Sequence, residues 1–174
     1  MKHDHQAIAN LQHLLDYDVK NITDAEIQLK NVLQEYMGKT TNLKLQDVLK
    51  KYATFIDQHI EKLEMFLVTE KIFSFSPGNK VMQAFISDAE EKLSICVDEG
   101  VKDACLLASV QQINHYKISA YGTAAAFANA LKMEDIAAVF READVNEKQI
   151  DDRLSQLAEH EINTKAKAPV LLSQ

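Results

Sequence analysis

Along one helical face between residues 107 and 128, the chain places Leu107, Val110, Asn114, Lys117, Tyr121, Ala124 and then Phe127 or Ala128. Spacing by threes and fours is the mark of a helix lying against a core. Two members of this stripe are polar, and one of them is charged, midway along a face that should be buried. A buried polar group is costly unless something answers it. Other elements must therefore bring partners to the same depth, and few folds do that.

Three further segments meet the requirement. The spacing predicts a first helix over residues 5–37, with Leu11, Leu15, Val19, Ile22, Glu26, Leu29, Leu33 and Tyr36 facing inward. Asn21-Ile22-Thr23-Asp24-Ala25-Glu26 has the form of a capping box, which would start a new helix there. The apolar stripe crosses it without a change of phase, so one continuous helix is expected, closed by Gly38 as its C-cap. A second helix is expected over 43–70, its inner face reading Leu45, Leu49, Tyr52, Ile56, His59, Leu63, Phe66 and Val68. Pro77-Gly78 halts the chain. A shorter helix follows over 80–98, ended by Gly100, before the central helix that runs to about Leu131. The last helix begins at Met133 or Asp135 and reaches His160, with Ile136, Phe140, Ala143, Glu147, Ile150, Leu154 and Leu157 inward. From Asn163 the periodicity is lost. The expectation is a single domain over 1–162 and a frayed tail over 163–174.

Each long helix thus carries a polar residue near its midpoint: Glu26, His59, Asn114 with Lys117, and Glu147. Taken alone, a core-facing glutamate ordinarily snorkels to water, and a lone histidine on an apolar face is ordinarily a hydrogen-bonded core residue. Together the four midpoints define one polar level. The segment 71–101 is too long for a tight turn and suits a crossover that returns the chain along the bundle. The fold expected is all-α: a ferritin-like four-helix bundle with a short extra helix in the crossover between the second and third long helices. Only four Gly and two Pro in 174 residues agree with it.

Charge and composition exclude several functions. The net charge of −7, with no basic stripe, argues against nucleic-acid binding. No apolar run approaches the ~20 residues of a membrane span, and Met1-Lys2-His3-Asp4-His5 is too polar to open a signal peptide. Two cysteines, Cys96 and Cys105, make no disulfide framework; they read as small core residues of a cytoplasmic protein. No nucleophile elbow, Gly-rich phosphate loop or His-Cys motif is present, so no enzyme activity is expected.

The chain resembles the YciE/YciF-type stress-response family of the ferritin-like superfamily across about Leu15 to Ala158. The resemblance is carried by Asp24-Ala25-Glu26-Ile27-Gln28-Leu29, by Ile60-Glu61-Lys62-Leu63-Glu64, and above all by His115-Tyr116 through Ser119-Ala120-Tyr121-Gly122-Thr123. Glu147-Lys148, with Asp151 and Leu154, matches the family's acidic fourth helix. It implies a small bacterial bundle with an extra helix, usually dimeric and linked to stress responses.

The departures bear on metal. Where the family reads Glu-His-Tyr-Glu, this chain has Asn114-His115-Tyr116-Lys117, so two carboxylates are gone and one has become a cation. The family's acidic cluster on the second helix aligns with Thr54, Phe55, Ile56 and Asp57, and one acidic residue of the last helix has become Asn146. Glu26 and Glu147 remain, with His59, which is too few ligands for a di-metal centre. The expectation is no metal and no cofactor, with Lys117 turned inward as an ammonium that neutralises Glu26 and Glu147. The vestigial site is therefore Glu26, His59, Asn114, Lys117 and Glu147, in a structural or interaction protein. The alternative is an iron- or manganese-binding oxidase or storage protein with a mononuclear site at Glu26, His59 and Glu147. Phe73 and Phe75 in the crossover, and Met65, Leu67 and Leu106 on outer faces, are expected to be covered in a homodimer. No small-molecule ligand or other partner is indicated.

Overall fold

The computed structural model describes residues 7–72 and 78–167. Five helices account for most of them: α1 (Leu11–Lys39), α2 (Leu43–Thr69), α3 (Lys80–Ile95), α4 (Glu99–Ala130) and α5 (Glu134–Leu157). A π-helical turn (Ala158–Ile162) and a last short helix, α6 (Asn163–Ala166), follow. Four helices open on an Asn or Asp whose side chain accepts a free backbone N–H: Asn10 from His13, Asn42 from Leu45, Asn79 from Met82 and Asp98 from Val101. The first helix is unbroken through Asn21, as its uninterrupted stripe required.

Both expected glycine stops give way to continuous helix. α1 runs through Gly38 and is capped at Thr40. Gly100 lies inside the first turn of α4, after Asp98 has already capped it. Its reason is close approach: a Cβ there would lie 3.4 Å from the backbone of Lys165 and 3.5 Å from Ala166, so α6 packs directly over the start of α4. The chain beyond residue 162 is likewise helical as far as Ala166, where fraying had been expected. The π-helical turn explains the lost periodicity. It places the next buried apolar residue, Ile162, five positions after Leu157 rather than three or four. Residues 168–174 of the expected tail, and His5 at the expected start of the first helix, lie outside the described residues.

The connections set the topology. Short links make α1 and α2 antiparallel, and likewise α4 and α5. Thr40 contacts Asp103 while Glu26 contacts Tyr121, so α1 and α4 are antiparallel too. α2 and α4 therefore run parallel on a diagonal, and the chain between them must travel the length of the bundle. α3 covers half of that return, on the outside of α1 and α4. Its cap residue, Asn79, donates to the Asn21 carbonyl (2.9 Å) and the Tyr116 hydroxyl (2.8 Å), while Asp24 accepts its backbone N–H. At the far end Asp103 accepts from Thr40 Oγ1, Thr41 N and Thr41 Oγ1, lashing the α1–α2 link to α4.

The inward stripes form two apolar clusters along the bundle axis. One holds Leu29, Leu33, Leu49, Ile56, Val110 and Ile150; the other holds Leu15, Val19, Leu63, Phe66, Ala124 and Phe140. The polar midpoints lie between them. Several expected faces differ, and Leu11, expected inward, is only half-buried. Val68 is 67% exposed, because α2 ends one residue later and its last turn leaves the core. Ile136 is only half-buried. Leu106, expected on the surface, is 1% exposed because α3 and α6 cover that side of α4. Met65 is exposed as expected (64%), Leu67 is half-buried, and Phe73 and Phe75 lie outside the described residues. Among the described residues no helix is long and apolar enough to cross a membrane.

Candidate functional site: a buried ion network

All five polar residues read from the stripes meet in one water-excluded cluster. Glu26, His59, Asn114, Lys117 and Glu147 are each buried. Lys117, 1% exposed, carries its ammonium from α4 to the bundle axis. Its Nζ lies 2.8 Å from Glu26 Oε2 on α1 and 2.7 Å from Glu147 Oε1 on α5. The Tyr52 hydroxyl of α2 takes its third N–H at 3.2 Å. The ammonium thus has two carboxylates at ion-pair distance and one hydroxyl that accepts a hydrogen bond from it.

The remaining carboxylate oxygens have hydrogen-bonding partners of their own. Glu26 Oε1 accepts from the Tyr121 hydroxyl (2.5 Å) and faces His59 Nδ1 at 2.9 Å. Glu147 Oε2 accepts from the Tyr52 hydroxyl (2.6 Å) and from Asn114 Nδ2 (2.7 Å), and the same amide group also donates to the Glu147 carbonyl (3.0 Å). His59 Nε2 accepts from Asn146 Nδ2 at 3.3 Å, which places the ring proton on Nδ1, toward Glu26. The imidazole is wedged between Phe55, stacked at 6.4 Å, and the edge of Tyr121 at 5.2 Å.

Burial acts on both carboxyls and the outcomes differ. Burial pushes Glu26 up, but the Lys117 ammonium and the His59 hydrogen bond outweigh it and hold its carboxyl below the usual range. Glu147 is pushed up by burial, which the Lys117 ammonium only partly offsets, and the Glu26 charge adds to the rise. Tyr52 and Tyr121 are pushed well above the ordinary phenol value by burial and by the carboxylates beside them, so both stay neutral donors. The two carboxylates thus share one ammonium, with the Glu26 carboxyl held down and the Glu147 carboxyl pushed up.

Tyr52, Tyr121 and Asn146 belong to this cluster although the stripes did not single them out as site residues. The two tyrosines read as apolar members of a stripe. The signal available was chemical: a buried tyrosine hydroxyl needs a partner, and Tyr121 sits one turn from Lys117 and Tyr52 two turns from His59. Of the residues aligned with the family's acidic cluster on α2, none delivers a carboxylate here. Phe55 and Ile56 are buried and apolar, Thr54 is exposed, and Asp57 pairs on the surface with Lys30 at 2.7 Å.

A bundle of this design can hold two divalent cations through four carboxylates and two imidazoles. Glu26, His59 and Glu147 do offer three ligand atoms within 4.8 Å of one another. The other donors do not fit. Lys117 places an ammonium against both carboxylates, and Asn114 turns an N–H, rather than an oxygen, toward Glu147. These residues do not fit a di-metal centre.

Comparison with known proteins agrees with this architecture. The chain is 29% identical to Protein YciF of Escherichia coli over 161 residues, covering 90% of this chain and 97% of that one. The crystal structure of the E. coli stress protein YciF superposes with a TM-score of 0.82 at 26% identity, covering 92% of this chain and all of that one. YcfI from Rhodopseudomonas palustris gives a TM-score of 0.80 at 26% identity over 89% of this chain and 97% of that one. A two-domain Anabaena variabilis protein with DJ-1/ThiJ/PfpI-like and ferritin-like domains shares the fold alone, with a TM-score of 0.57 at 17% identity, over 95% of this chain and 40% of that one. The bundle is therefore ferritin-like, and its stress-response-type resemblance is to YciF. Residues 10–167 match the model of DUF892, a domain of unknown function, and the chain belongs to that family.

Proposed function

We propose that this chain is a stress-response-type structural or interaction protein, in which an internal ion network has replaced the metal centre of a ferritin-like bundle. The observation that carries the reading is the Lys117 ammonium, 2.8 and 2.7 Å from the two retained carboxylates. A fixed cation that neutralises buried carboxylates does the electrostatic work of a metal without open coordination positions, and so without redox or Lewis-acid chemistry. Two E. coli matches are to a protein described as a stress protein or under the same name, and YcfI is described as a proposed structural protein. The reading includes no catalytic activity, a cytoplasmic location and no nucleic-acid or membrane partner. It also includes a homodimer, supported by the exposed Met65 and Val68; a monomeric mass in light scattering at micromolar concentration would contradict that part.

The test is metal content. Protein purified from cells grown with added iron and manganese should carry far less than one equivalent of either by plasma mass spectrometry. Anaerobic calorimetric titration with Fe²⁺ or Mn²⁺ should show no tight stoichiometric step. One tightly held ion per chain would overturn the reading. It would favour the second one, an oxidase or storage protein with a mononuclear site at Glu26, His59 and Glu147, which the mutual proximity of those three ligands supports.

A further inference from the structure

Away from the ion network, the outer faces of α3 and α4 form the walls of a surface groove of about 880 Å³. α3 lines it with Val81, Ala84, Phe85, Asp88 and Lys92, and α4 with Ala108, Gln111, Gln112 and His115. Both sets are spaced by threes and fours, so each wall is one helical stripe, the pattern by which a helix packs on another helix. The α3 wall rises roughly 16 Å from Val81 to Lys92, about three helical turns. Exposed Ala84 and Ala108, one on each wall, keep the groove open. Val81, 49% exposed, and Phe85, half-buried and tilted against Tyr116 at 6.0 Å, supply its apolar lining.

The polar rim is biased toward acceptors. Gln111 Nε2 donates to Asp151 Oδ1 and to Ser155 Oγ, both at 2.8 Å, and His115 Nε2 lies 2.8 Å from the same Asp151 oxygen. The Gln111 N–H groups are thereby committed, which leaves its carbonyl oxygen as the group it can offer. Lys92 is tied to Asp88 at 2.5 Å. With His115 neutral, two carboxylates, Asp88 and Asp151, stand at this rim against one ammonium, on a chain of net charge −7.

We propose that this groove is the docking site for an amphipathic helix of a partner protein, one whose apolar stripe is flanked by lysine or arginine. Its apolar residues enter against Val81 and Phe85, over the small Ala84 and Ala108, while its basic residues meet Asp88, Asp151 and the Gln111 carbonyl. The ion pair and amides along the walls suit a contact made and broken between soluble partners rather than a permanent subunit seam, which is more apolar. The proposal names the kind of partner for the interaction role given above and rests on that role. Metal content, which tests the replaced centre, is read independently of peptide binding.

The experiment titrates the full chain into a fluorescein-labelled peptide of about 18 residues, long enough for the three turns, and follows anisotropy. Its leucines repeat at i, i+3, i+4 and i+7, with lysine elsewhere; a scrambled peptide of the same composition and a leucine–glutamate peptide of the same pattern are the controls. Saturable one-to-one binding of the patterned basic peptide alone is expected. Ala84→Gln with Ala108→Gln adds bulk to both walls without changing charge and should weaken binding by about tenfold or more. The same change at exposed Ala138, on α5, should leave it intact. Each groove change alone should act in the same direction, so the result does not depend on the double variant folding. Equal binding of the scrambled peptide would reduce the effect to net charge, and binding unchanged by the groove substitutions would place the peptide elsewhere. No binding would remove the site, and a homodimer that these substitutions split in light scattering would give the groove to a second copy. Each of these four results overturns the proposal.

Discussion

Replacing Lys117 by Met tests the ion network most directly. Methionine keeps the length and apolar volume of the lysine stem and removes only the ammonium, so the two carboxylates lose their shared counter-ion. Breaking a buried pair from one side costs roughly 3–5 kcal/mol. An independent route gives a similar figure. The variant can escape by protonating one carboxyl, and doing so at pH 7 from an ordinary value of 4.5 costs about 3.4 kcal/mol, at about 1.4 kcal/mol per pH unit. The second route also fixes the sign of the pH dependence. In the variant the carboxyl is raised in the folded state, so its contribution is fully present below pH 4.5 and is lost as pH rises through the raised value. Urea melts should therefore show a loss of about 3–5 kcal/mol at pH 7 that shrinks by most of that amount near pH 4.5. Lys117→Ala should lose about 2 kcal/mol more, for three buried methylenes. Combining Lys117→Met with Glu26→Gln and Glu147→Gln should recover much of the loss, since no net charge remains buried. A loss below about 1 kcal/mol at pH 7, the range of an exposed pair, would mean that the ammonium reaches solvent and would refute the network.

Restoring carboxylates to α4 with Asn114→Glu and Lys117→Glu should create iron or manganese affinity measurable by calorimetry where the parent has none, although Phe55 still blocks the α2 side. Tyr121→Phe removes a charge-assisted hydrogen bond to Glu26 and should cost about 1.5–3 kcal/mol in denaturant melts, with the ring packing retained. Glu161 is held at about 2 by hydrogen bonds from Lys44 and Asn42, so its contribution is present above pH 4.5 and lost as pH falls through about 2. Glu161→Gln should consequently lower the midpoint of thermal melts at neutral pH and converge on the parent as the pH approaches 2; a gap that is constant with pH would show that the charge plays no part.

The four long helices and the level of their polar midpoints were legible in the chain itself, because burial imposes a period on each helix wherever it touches the core. Glu26, His59, Asn114, Lys117 and Glu147 could be named because polar residues interrupt that period, and all five meet. What periodicity does not encode is the distance between helices or the direction of a flexible side chain at the axis. Lys117 can extend outward or inward from the same backbone position; only the two carboxylates and Tyr52, brought by three other helices, hold its ammonium inside. The same holds for Tyr52 and Tyr121, whose rings satisfy the stripe and whose hydroxyls acquire a role only when another helix presents an acid. Gly38 and Gly100 looked like stops because glycine is a weak helix former, yet caps at Thr40 and Asp98 and the approach of α6 decided where those helices end and begin. Local sequence determines which face of each helix is buried; which atoms meet across the axis is decided by the packing of helices far apart in the chain.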